Sequence, residues 1–284
     1  MNKDTVLMLK ARAAEIRRYS VEAVWRAKSG HPGGSLSIAD AIAYLYFYKM
    51  KVDPKNPKWD ERDRFVLSKG HCCPALYSAL AIKGYFGLDE VMKLRTLGSM
   101  LQGHPDMKGT PGIDMSTGSL SQGFSAACGM AATAKRKGLS WKVYTALGDG
   151  ETEEGQVWEA AMFANQYGLN NLIAFIDSNG YQIDGAVKDV MDPNPLDEKF
   201  RAFGWYATVI DGHDFEAIDK AVKECEASGK PGAIILKTVK GKGVSYMENN
   251  YQWHGKAPKD EEYAIAEKEL DEAVRITKEA LING

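Results

Sequence analysis

The chain has 284 residues, of which 44% are hydrophobic and 26% are charged, and its formal net charge is −2. A chain of this size can bury one large core or at most two, and without a basic stripe it is a poor candidate for binding nucleic acid or an anionic membrane. The four cysteines have neither zinc-site nor disulfide spacing, no apolar run approaches a membrane span, and the start does not resemble a signal peptide. These features predict a cytoplasmic protein with reduced thiols.

Hydrophobic periodicity and turn residues then divide the chain into alternating helices and strands. One predicted helix starts at a cap, Ser35 or Ser37, and runs to residue 48, and another starts at residue 74. The other helices are predicted at 4–28, 89–97, 125–134, 157–164, 195–203, 214–228 and 260–281. Strands are predicted at 64–67, 142–147, 172–176, 206–210 and 233–238. Segments 103–118 and 241–258 lack periodicity and are predicted as loops. The alternation predicts an α/β fold, a doubly wound, mostly parallel sheet with helices on both faces, formed by residues 1–284 as a single domain.

The most informative stretch is Gly148-Asp149-Gly150-Glu151-Thr152-Glu153-Glu154-Gly155, which is followed about thirty residues later by Asp177-Ser178-Asn179-Gly180. Each stretch comes directly after a predicted strand. If these strands are parallel neighbours, Asp149 and Asn179 meet at the carboxyl edge of the sheet, where open α/β sheets bind ligands. Their oxygens suit Mg²⁺ or Ca²⁺, and the glycines and helix start suit a bound anion. The alternative is an ordinary turn in which Asp149 caps a helix, but the second motif favours a binding site.

Four of the five histidines lie in loops beside glycine or proline: His31, His71, His104 and His254. Imidazole can donate to phosphate and hydroxyl oxygens and can move protons near neutral pH. One such histidine alone is typical of a structural role, whereas four in similar loops favour a functional one. The fifth, His213, stands just before a predicted helix and is interpreted as turn and cap chemistry.

The Gly-Asp-Gly and Asn pair resembles the signature of enzymes that bind thiamine diphosphate, and the whole chain resembles the N-terminal part of a transketolase. The matching motifs follow the family's order along nearly the whole chain: Ser29-Gly30-His31-Pro32-Gly33, Lys69-Gly70-His71, Gly103-His104-Pro105, Thr117-Gly118-Ser119-Leu120-Ser121-Gln122-Gly123, Gly148-Asp149-Gly150, Asp177-Ser178-Asn179-Gly180 and Trp253-His254-Gly255. The resemblance implies the thiamin-diphosphate-binding fold and transfer of a two-carbon ketol unit from a ketose to an aldose.

The resemblance also implies roles for particular positions. The metal, Mg²⁺ or Ca²⁺, would be held by the side chains of Asp149 and Asn179 and the carbonyl of Tyr181. The diphosphate would be contacted by His71, His254 and the backbone of Gly150. The aminopyrimidine side would be lined by Gly118, Ser119 and Leu120. The sugar donor and the carbanion intermediate would be met by His31, His104 and His254. Glu154 matches the sugar-handling branch of the family and is counted among the cofactor-binding residues, although Glu153 and Glu154 would have at most an indirect role in relaying protons.

Four positions depart from the family pattern. Cys72-Cys73 stands where small residues are common, which is interpreted as packing with a lesser chance of redox sensitivity. Ser119 and Ser121 stand where many relatives have proline and glycine, so the geometry of their loop is open.

A full-length transketolase is more than twice as long and carries a pyrimidine-binding domain that does not follow here. The resemblance therefore implies a split enzyme, in which a separate C-terminal subunit supplies that half and two copies of each chain form an α2β2 heterotetramer acting on sugar phosphates. Three alternatives stay open: the α subunit of a thiamine-dependent 2-oxo acid dehydrogenase, a transketolase specialised for an unusual, for example sulfonated, sugar, and a catalytically silent scaffold. A nicotinamide-binding protein is disfavoured because the first strand–helix turn lacks Gly-x-Gly-x-x-Gly.

Overall fold

Seven strands are present in the computed structural model, which describes residues 1–283. They are β1 (Arg64–Leu67), β2 (Val143–Gly148), β3 (Leu172–Ser178), β4 (Tyr181–Gln182), β5 (Gly185–Ala186), β6 (Tyr206–Asp211) and β7 (Gly232–Lys237). Five of them form a parallel sheet in the spatial order β1-β2-β3-β7-β6, whereas β4 and β5 form a small antiparallel hairpin. All five predicted strands are thus confirmed. The hairpin was not predicted, because a two-residue strand is too short to show periodicity.

The helices surround this sheet. They are α1 (Lys3–Ala27), α2 (Pro32–Tyr44, continued by a π turn at Leu45–Lys49), α3 (Cys73–Lys83), α4 (Leu88–Val91), α5 (Gln122–Arg136), α6 (Gly155–Gln166), α7 (Val187–Val190), α8 (Leu196–Ala202), α9 (Phe215–Ala227) and α10 (Asp260–Asn283). Short 3-10 turns lie at Gly70–Cys72, Gly150–Glu153 and Tyr251–Trp253. Within residues 1–283, no helix combines the length and apolar character needed to cross a membrane.

Alternate residues of the central strands point into two separate hydrophobic cores. On β3, Ile173 and Phe175 pack into the core that contains residues of α1, α2, α3 and α9. Leu172, Ala174 and Ile176 pack into the second core, with residues of α5, α6 and α8. Because a parallel strand buried on both faces needs helices on both sides, this alternation accounts for the near-continuous apolar sequence of β3. The prediction of a doubly wound, mostly parallel sheet is confirmed.

The start of α2 differs from the prediction. The helix begins at Pro32, whose fixed φ suits the first helical position, so neither Ser35 nor Ser37 is its cap. Instead, both hydroxyls lie inside the helix: Ser35 Oγ donates backwards to the carbonyl of His31 at 2.7 Å, whereas Ser37 Oγ lies 3.0 Å from the carbonyl of Gly34 and 2.5 Å from Oδ2 of Asp177. His31 is therefore held directly at the N-terminal end of a buried helix.

The predicted helix at 89–97 is wrong beyond its first turn. Only Leu88–Val91 is helical, and turns follow. Arg95 and Gly98 adopt positive φ angles of 60° and 82°, which an α-helix cannot contain. The reversal returns the chain toward the segment that carries His104.

Candidate functional site

The carboxyl edge of the sheet opens into a cleft of about 380 Å³. Most predicted site residues line it: His31, His71, Gly118, Leu120, Asp149, Gly150, Glu154, Asn179, Tyr181 and His254. Other lining residues were not predicted to have a role, among them Lys69, Glu151, Gln182, Ile183 and Lys240. The other two predicted residues lie next to the lining. Ser119 is exposed between Gly118 and Leu120, and the centre of the His104 ring lies 6.2 Å from that of the His31 ring.

The two central motifs meet because β2 and β3 are parallel neighbours, with Gly148 opposite Asp177. The N–H of Asp149 extends this contact and donates to the Asp177 carbonyl at 3.2 Å. As a result Asp149, Asn179 and Tyr181, which are more than thirty residues apart at the extremes, line the same cleft. The proximity expected from the two motifs is confirmed.

Asp149 is a buried carboxylate, only 2% exposed. Its Oδ1 accepts from the N–H of Gly150 at 2.9 Å, which is the capping contact considered above, and its Oδ2 accepts from the N–H of Gly180 at 2.7 Å. Burial outweighs these hydrogen bonds and raises the pKa of Asp149 to about 6. A divalent cation beside this group would lower the pKa again and hold the carboxyl in its ionised form.

A buried ion pair beneath the cleft orients Asn179. Lys69 is 2% exposed and Asp177 is fully buried, and the two form a salt bridge. Asp177 also accepts from the hydroxyls of Ser37 and Thr238 and, at 3.1 Å, from Nδ2 of Asn179. Although burial would raise the pKa of Asp177, the Lys69 charge and these donors hold it below its ordinary value. Nδ2 is thus committed to Asp177, and Oδ1 of Asn179 accepts from the N–H of Tyr181 at 3.1 Å, which leaves one lone pair of this oxygen for a ligand.

Lys240 supplies a cation to the same cleft and is 1% exposed. Its ammonium donates to the Tyr181 carbonyl at 3.3 Å and lies 3.1 Å from Nδ1 of His254. Burial lowers the pKa of Lys240 to about 8. Since an ammonium can only donate, Nδ1 of His254 accepts, and the neutral imidazole carries its proton on Nε2.

The four loop histidines form one cluster. The His31 ring lies 5.2 Å from that of His71, 5.6 Å from that of His254 and 6.2 Å from that of His104, and the His71 and His254 rings stack at 4.8 Å. Burial, assisted by nearby cations, lowers the pKa of His31 to about 4 and that of His254 to about 3, and it also lowers the pKa values of His71 and His104. All four are therefore neutral at physiological pH, able to donate at one nitrogen and accept at the other. Nδ1 of His31 is buried without a partner in residues 1–283, as expected of an atom reserved for a ligand.

Gly33 near His31 and Gly70 beside His71 stand where a side chain would collide with a neighbouring segment. A Cβ at Gly33 would lie 2.8 Å from the Trp253 carbonyl, and one at Gly70 would lie 2.8 Å from the N–H nitrogen of Gly118. Their absence lets the loop that carries His254 approach α2, and lets the 117–120 loop lie against the segment that carries His71.

Glu151 was not predicted to have a role, yet its buried carboxylate joins three segments. It accepts from Ser68 Oγ at 2.5 Å, from the Ser121 N–H at 2.8 Å and from the Gly148 N–H at 3.0 Å. Burial raises its pKa above the ordinary value despite these bonds. Ser121 has a φ of 68°, the left-handed conformation that a glycine would adopt freely. The loop geometry left open by the sequence is thus the glycine geometry, held by Glu151.

Because Ser121 is strained, we expect Ser121→Gly to leave the free energy of unfolding unchanged or to raise it by about 0.5 kcal/mol, as relief of strain offsets added chain entropy. The matched control is Ser125→Gly, which lies inside α5 and should cost about 0.5 kcal/mol. Urea denaturation measures both. An equal loss in the two variants would contradict the left-handed conformation at 121.

His213 lies outside the cluster. Its Nδ1 is 2.6 Å from Oδ2 of Asp40, and its Nε2 accepts from the N–H of Val239 at 3.0 Å. The backbone N–H donates to Asp211 Oδ1, so the turn part of the interpretation is supported, but the cap of α9 is Asp214. His213 connects α2 to the segment that precedes Lys240.

The four cysteines are free and buried, which agrees with the packing interpretation of Cys72 and Cys73. Burial raises the pKa of both thiols, so neither is predominantly a thiolate at neutral pH. The Cys73 thiol donates to the Gly103 carbonyl at 3.3 Å.

Comparison with known protein families identifies this arrangement. The family model described as the thiamine diphosphate binding domain of transketolase matches residues 9–275. The chain belongs to the transketolase family. The resemblance stated from the motifs is confirmed, and the α/β fold is that of a thiamine diphosphate-binding domain.

Two bacterial relatives match this transketolase chain over nearly their whole length. It is 50% identical to the 6-deoxy-6-sulfo-D-fructose transketolase subunit SqwG of Clostridium sp. strain MSTE9, covering 93% of this chain and 96% of the relative. It is 42% identical to one subunit of the apulose-4-phosphate transketolase of Phocaeicola vulgatus, covering 94% and 95% of the two chains. Both relatives are named as subunits of transketolases.

Longer transketolases contain a region like this chain. Human transketolase is 43% identical over 251 residues, which are 87% of this chain but 40% of the human one. The crystal structure of Campylobacter jejuni transketolase superposes with a TM-score of 0.88 at 33% identity, covering 100% of this chain and 48% of that one. The chain therefore spans about half the length of the solved transketolases it resembles.

Proposed function

We propose that the chain binds thiamine diphosphate together with Mg²⁺ or Ca²⁺ and serves as the N-terminal, diphosphate-binding subunit of a two-chain transketolase. The observation that carries this proposal is the convergence of three oxygen donors, from Asp149, Asn179 and Tyr181, beside a wall of neutral histidines and a buried lysine. A carboxylate, an amide and a carbonyl are hard ligands and suit a divalent cation of this kind. Within residues 1–283, no group of three or more His, Cys, Asp or Glu side chains is placed to hold a metal ion, the four clustered histidines included.

The residues present fit the diphosphate. Lys240 offers a buried ammonium, and Nε2–H of His254 is free to donate because its Nδ1 is committed to that lysine. His71 stacks on His254 and offers a second neutral donor, while Gly150 lets the backbone approach. An anion beside Lys240 would restore its full charge against the effect of burial. When bound, thiamine diphosphate supplies the carbanion chemistry that transfers a two-carbon ketol unit.

The remaining residues of the cluster suit the sugar. We assign the donor's hydroxyls to His31 and His104, with His254 shared between diphosphate and donor, since neutral imidazoles can both donate and accept as protons move. We assign the aminopyrimidine side to Gly118, Ser119 and Leu120. Glu154 is exposed at the rim of the cleft and keeps only an indirect role.

We further propose that a separate C-terminal subunit completes the site and that two copies of each chain form an α2β2 assembly. Two relatives of matching extent are named as subunits, which supports a two-chain enzyme. Ile183, 63% exposed on the cleft wall, is an apolar surface that such a partner chain would cover. The four free cysteines favour a cytoplasmic location.

A donor with a sulfonate end is the second candidate beside a sugar phosphate. The specific observation is the 50% identity to a subunit named for 6-deoxy-6-sulfofructose, compared with 42% for one named for apulose 4-phosphate. A sulfonate and a phosphate both need a cationic subsite. The sequence of the partner chain would show which of the two donors the enzyme uses.

Reconstitution tests the proposal. The chain is co-expressed with the product of the neighbouring reading frame, loaded with thiamine diphosphate and Mg²⁺, and assayed for ketol transfer from fructose 6-phosphate and from 6-deoxy-6-sulfofructose. We expect transfer from one of these donors by the pair and none by either chain alone. Full activity of this chain alone would refute the two-chain proposal. Decarboxylation of a 2-oxo acid without ketol transfer would instead favour the dehydrogenase alternative.

A further inference from the structure

Arg95 sits between the two loops that carry His31 and His104. Its Nη1 donates to the hydroxyl of Ser29 at 2.8 Å, and its Nη2 donates to the Gly103 carbonyl at 3.2 Å. Ser29 is two residues before the first histidine, and Gly103 directly precedes the second. One guanidinium therefore bridges two segments that are more than seventy residues apart in the chain.

The placement of this arginine is specified by its surroundings. Arg95 has a φ of 60°, rare for a residue with a side chain, and its N–H donates to the Leu101 carbonyl at 2.9 Å. A Cβ at Gly103 would lie 2.8 Å from Nε and 2.9 Å from Cζ of Arg95, so the guanidinium packs directly on the glycine backbone. The backbone conformation and the contact with Gly103 together fix where the guanidinium lies.

The inner side of the same loop is anchored separately. The Tyr77 hydroxyl, buried in α3, lies 3.0 Å from the carbonyls of both Gln102 and His104. Because Tyr77 fixes the inner side, the hydrogen bonds from Arg95 to Ser29 and Gly103 determine how the His104 segment lies relative to His31. Both imidazoles also respond to the arginine, since its charge adds to the effect of burial in lowering their pKa values.

We propose that Arg95 is a positioning residue that couples the His31 loop to the His104 loop, and so fixes the spacing of the two imidazoles that would receive the sugar donor. The sugar-binding part rests on the proposed function. The coupling itself is a property of the chain and needs neither cofactor nor partner.

The coupling is tested in the full chain by histidine-selective ¹³C labelling, which gives signals for five imidazoles that single His→Gln variants assign. Ser29→Ala removes the tie on the His31 side only. We expect it to move the His104 signal, and to have no such effect in an Arg95→Met background. The His213 signal, held by Asp40 and Val239, should stay in place and reports an intact fold.

Two further variants separate the effect of the Arg95 hydrogen bonds from that of its positive charge. Arg95→Lys keeps the charge but loses the planar guanidinium that bonds Ser29 and Gly103 at once. In this variant, Ser29→Ala should no longer move the His104 signal. Lys93 is an exposed cation paired with Asp89 and Glu90, and Lys93→Met should leave the His31 and His104 signals unchanged. If Ser29→Ala leaves the His104 signal in place, or moves it equally without Arg95, the coupling is refuted.

In the reconstituted enzyme, Arg95→Met should raise the KM for the donor about tenfold while the Kd for thiamine diphosphate stays nearly constant. An unchanged donor KM would overturn the sugar-positioning role. A complex that transfers no ketol unit even with the wild-type chain would refute the proposed function, and the cross-loop response measured by NMR would still stand or fall independently.

Discussion

Asp149→Asn is expected to weaken metal-dependent retention of thiamine diphosphate on the order of a hundredfold or more. The substitution keeps the size of the side chain but replaces a carboxylate by a neutral amide, which is a far weaker ligand for Mg²⁺ or Ca²⁺. It also leaves only one side-chain oxygen to accept from the N–H groups of Gly150 and Gly180, which now donate to separate oxygens of Asp149. Isothermal titration of the assembled protein with thiamine diphosphate, with and without Mg²⁺, measures the effect.

The control for this variant is Asp189→Asn, which makes the same chemical change at an exposed position of α7 and should leave retention unchanged. Normal Mg²⁺-dependent binding by Asp149→Asn would refute the assignment of Asp149 as a metal ligand.

Retention of thiamine diphosphate should also depend on pH. Because burial raises the pKa of Asp149 to about 6, the carboxyl must lose a proton to ligate the metal below that pH, and retention should weaken as pH falls from 7 to 5.

Asp177→Asn is expected to reduce the free energy of unfolding by about 3–5 kcal/mol, because it leaves the Lys69 ammonium buried without a counter-charge. The shape of the side chain is nearly unchanged, so the loss reports the charge rather than a cavity. Guanidinium denaturation of the chain, without cofactor, measures the effect.

Two controls accompany this variant. Glu90→Gln breaks the exposed pair with Lys93 and should leave the denaturation midpoint nearly unchanged. The double variant Lys69→Met/Asp177→Asn should recover part of the lost stability, since no unpaired charge remains. If Asp177→Asn is no worse than Glu90→Gln, the buried pair is not formed as described.

The fold was predictable because its signals are local. The five strands of the sheet are short β-rich runs bounded by turn residues, and amphipathic spacing marks the long helices. The exceptions depend on backbone conformation: the helix predicted at 89–97 ends at Val91 and is followed by turns in which Arg95 has a positive φ, and Pro32 rather than a serine starts α2. Neither event leaves a periodic pattern to detect.

The site was predictable only where a motif named its chemistry. Asp149, Asn179 and the four loop histidines stood out as polar residues beside glycine or proline. Lys69 and Asp177 were visible within those motifs, but nothing in the sequence shows that the two side chains pair across 108 positions. Lys240 and Glu151 were missed for the same reason: their significance is burial at a shared cleft, which only the folded chain reveals.

The hydrogen bond from Asn179 to Asp177 has a consequence for how a divalent ion would arrive. This bond already holds the amide in the folded chain, so an incoming ion would meet an oriented oxygen rather than a mobile side chain. Less ordering entropy is then lost at capture. Cofactor loading would therefore depend on the integrity of the Lys69–Asp177 salt bridge, and a substitution that breaks this pair would weaken cofactor binding as well as stability.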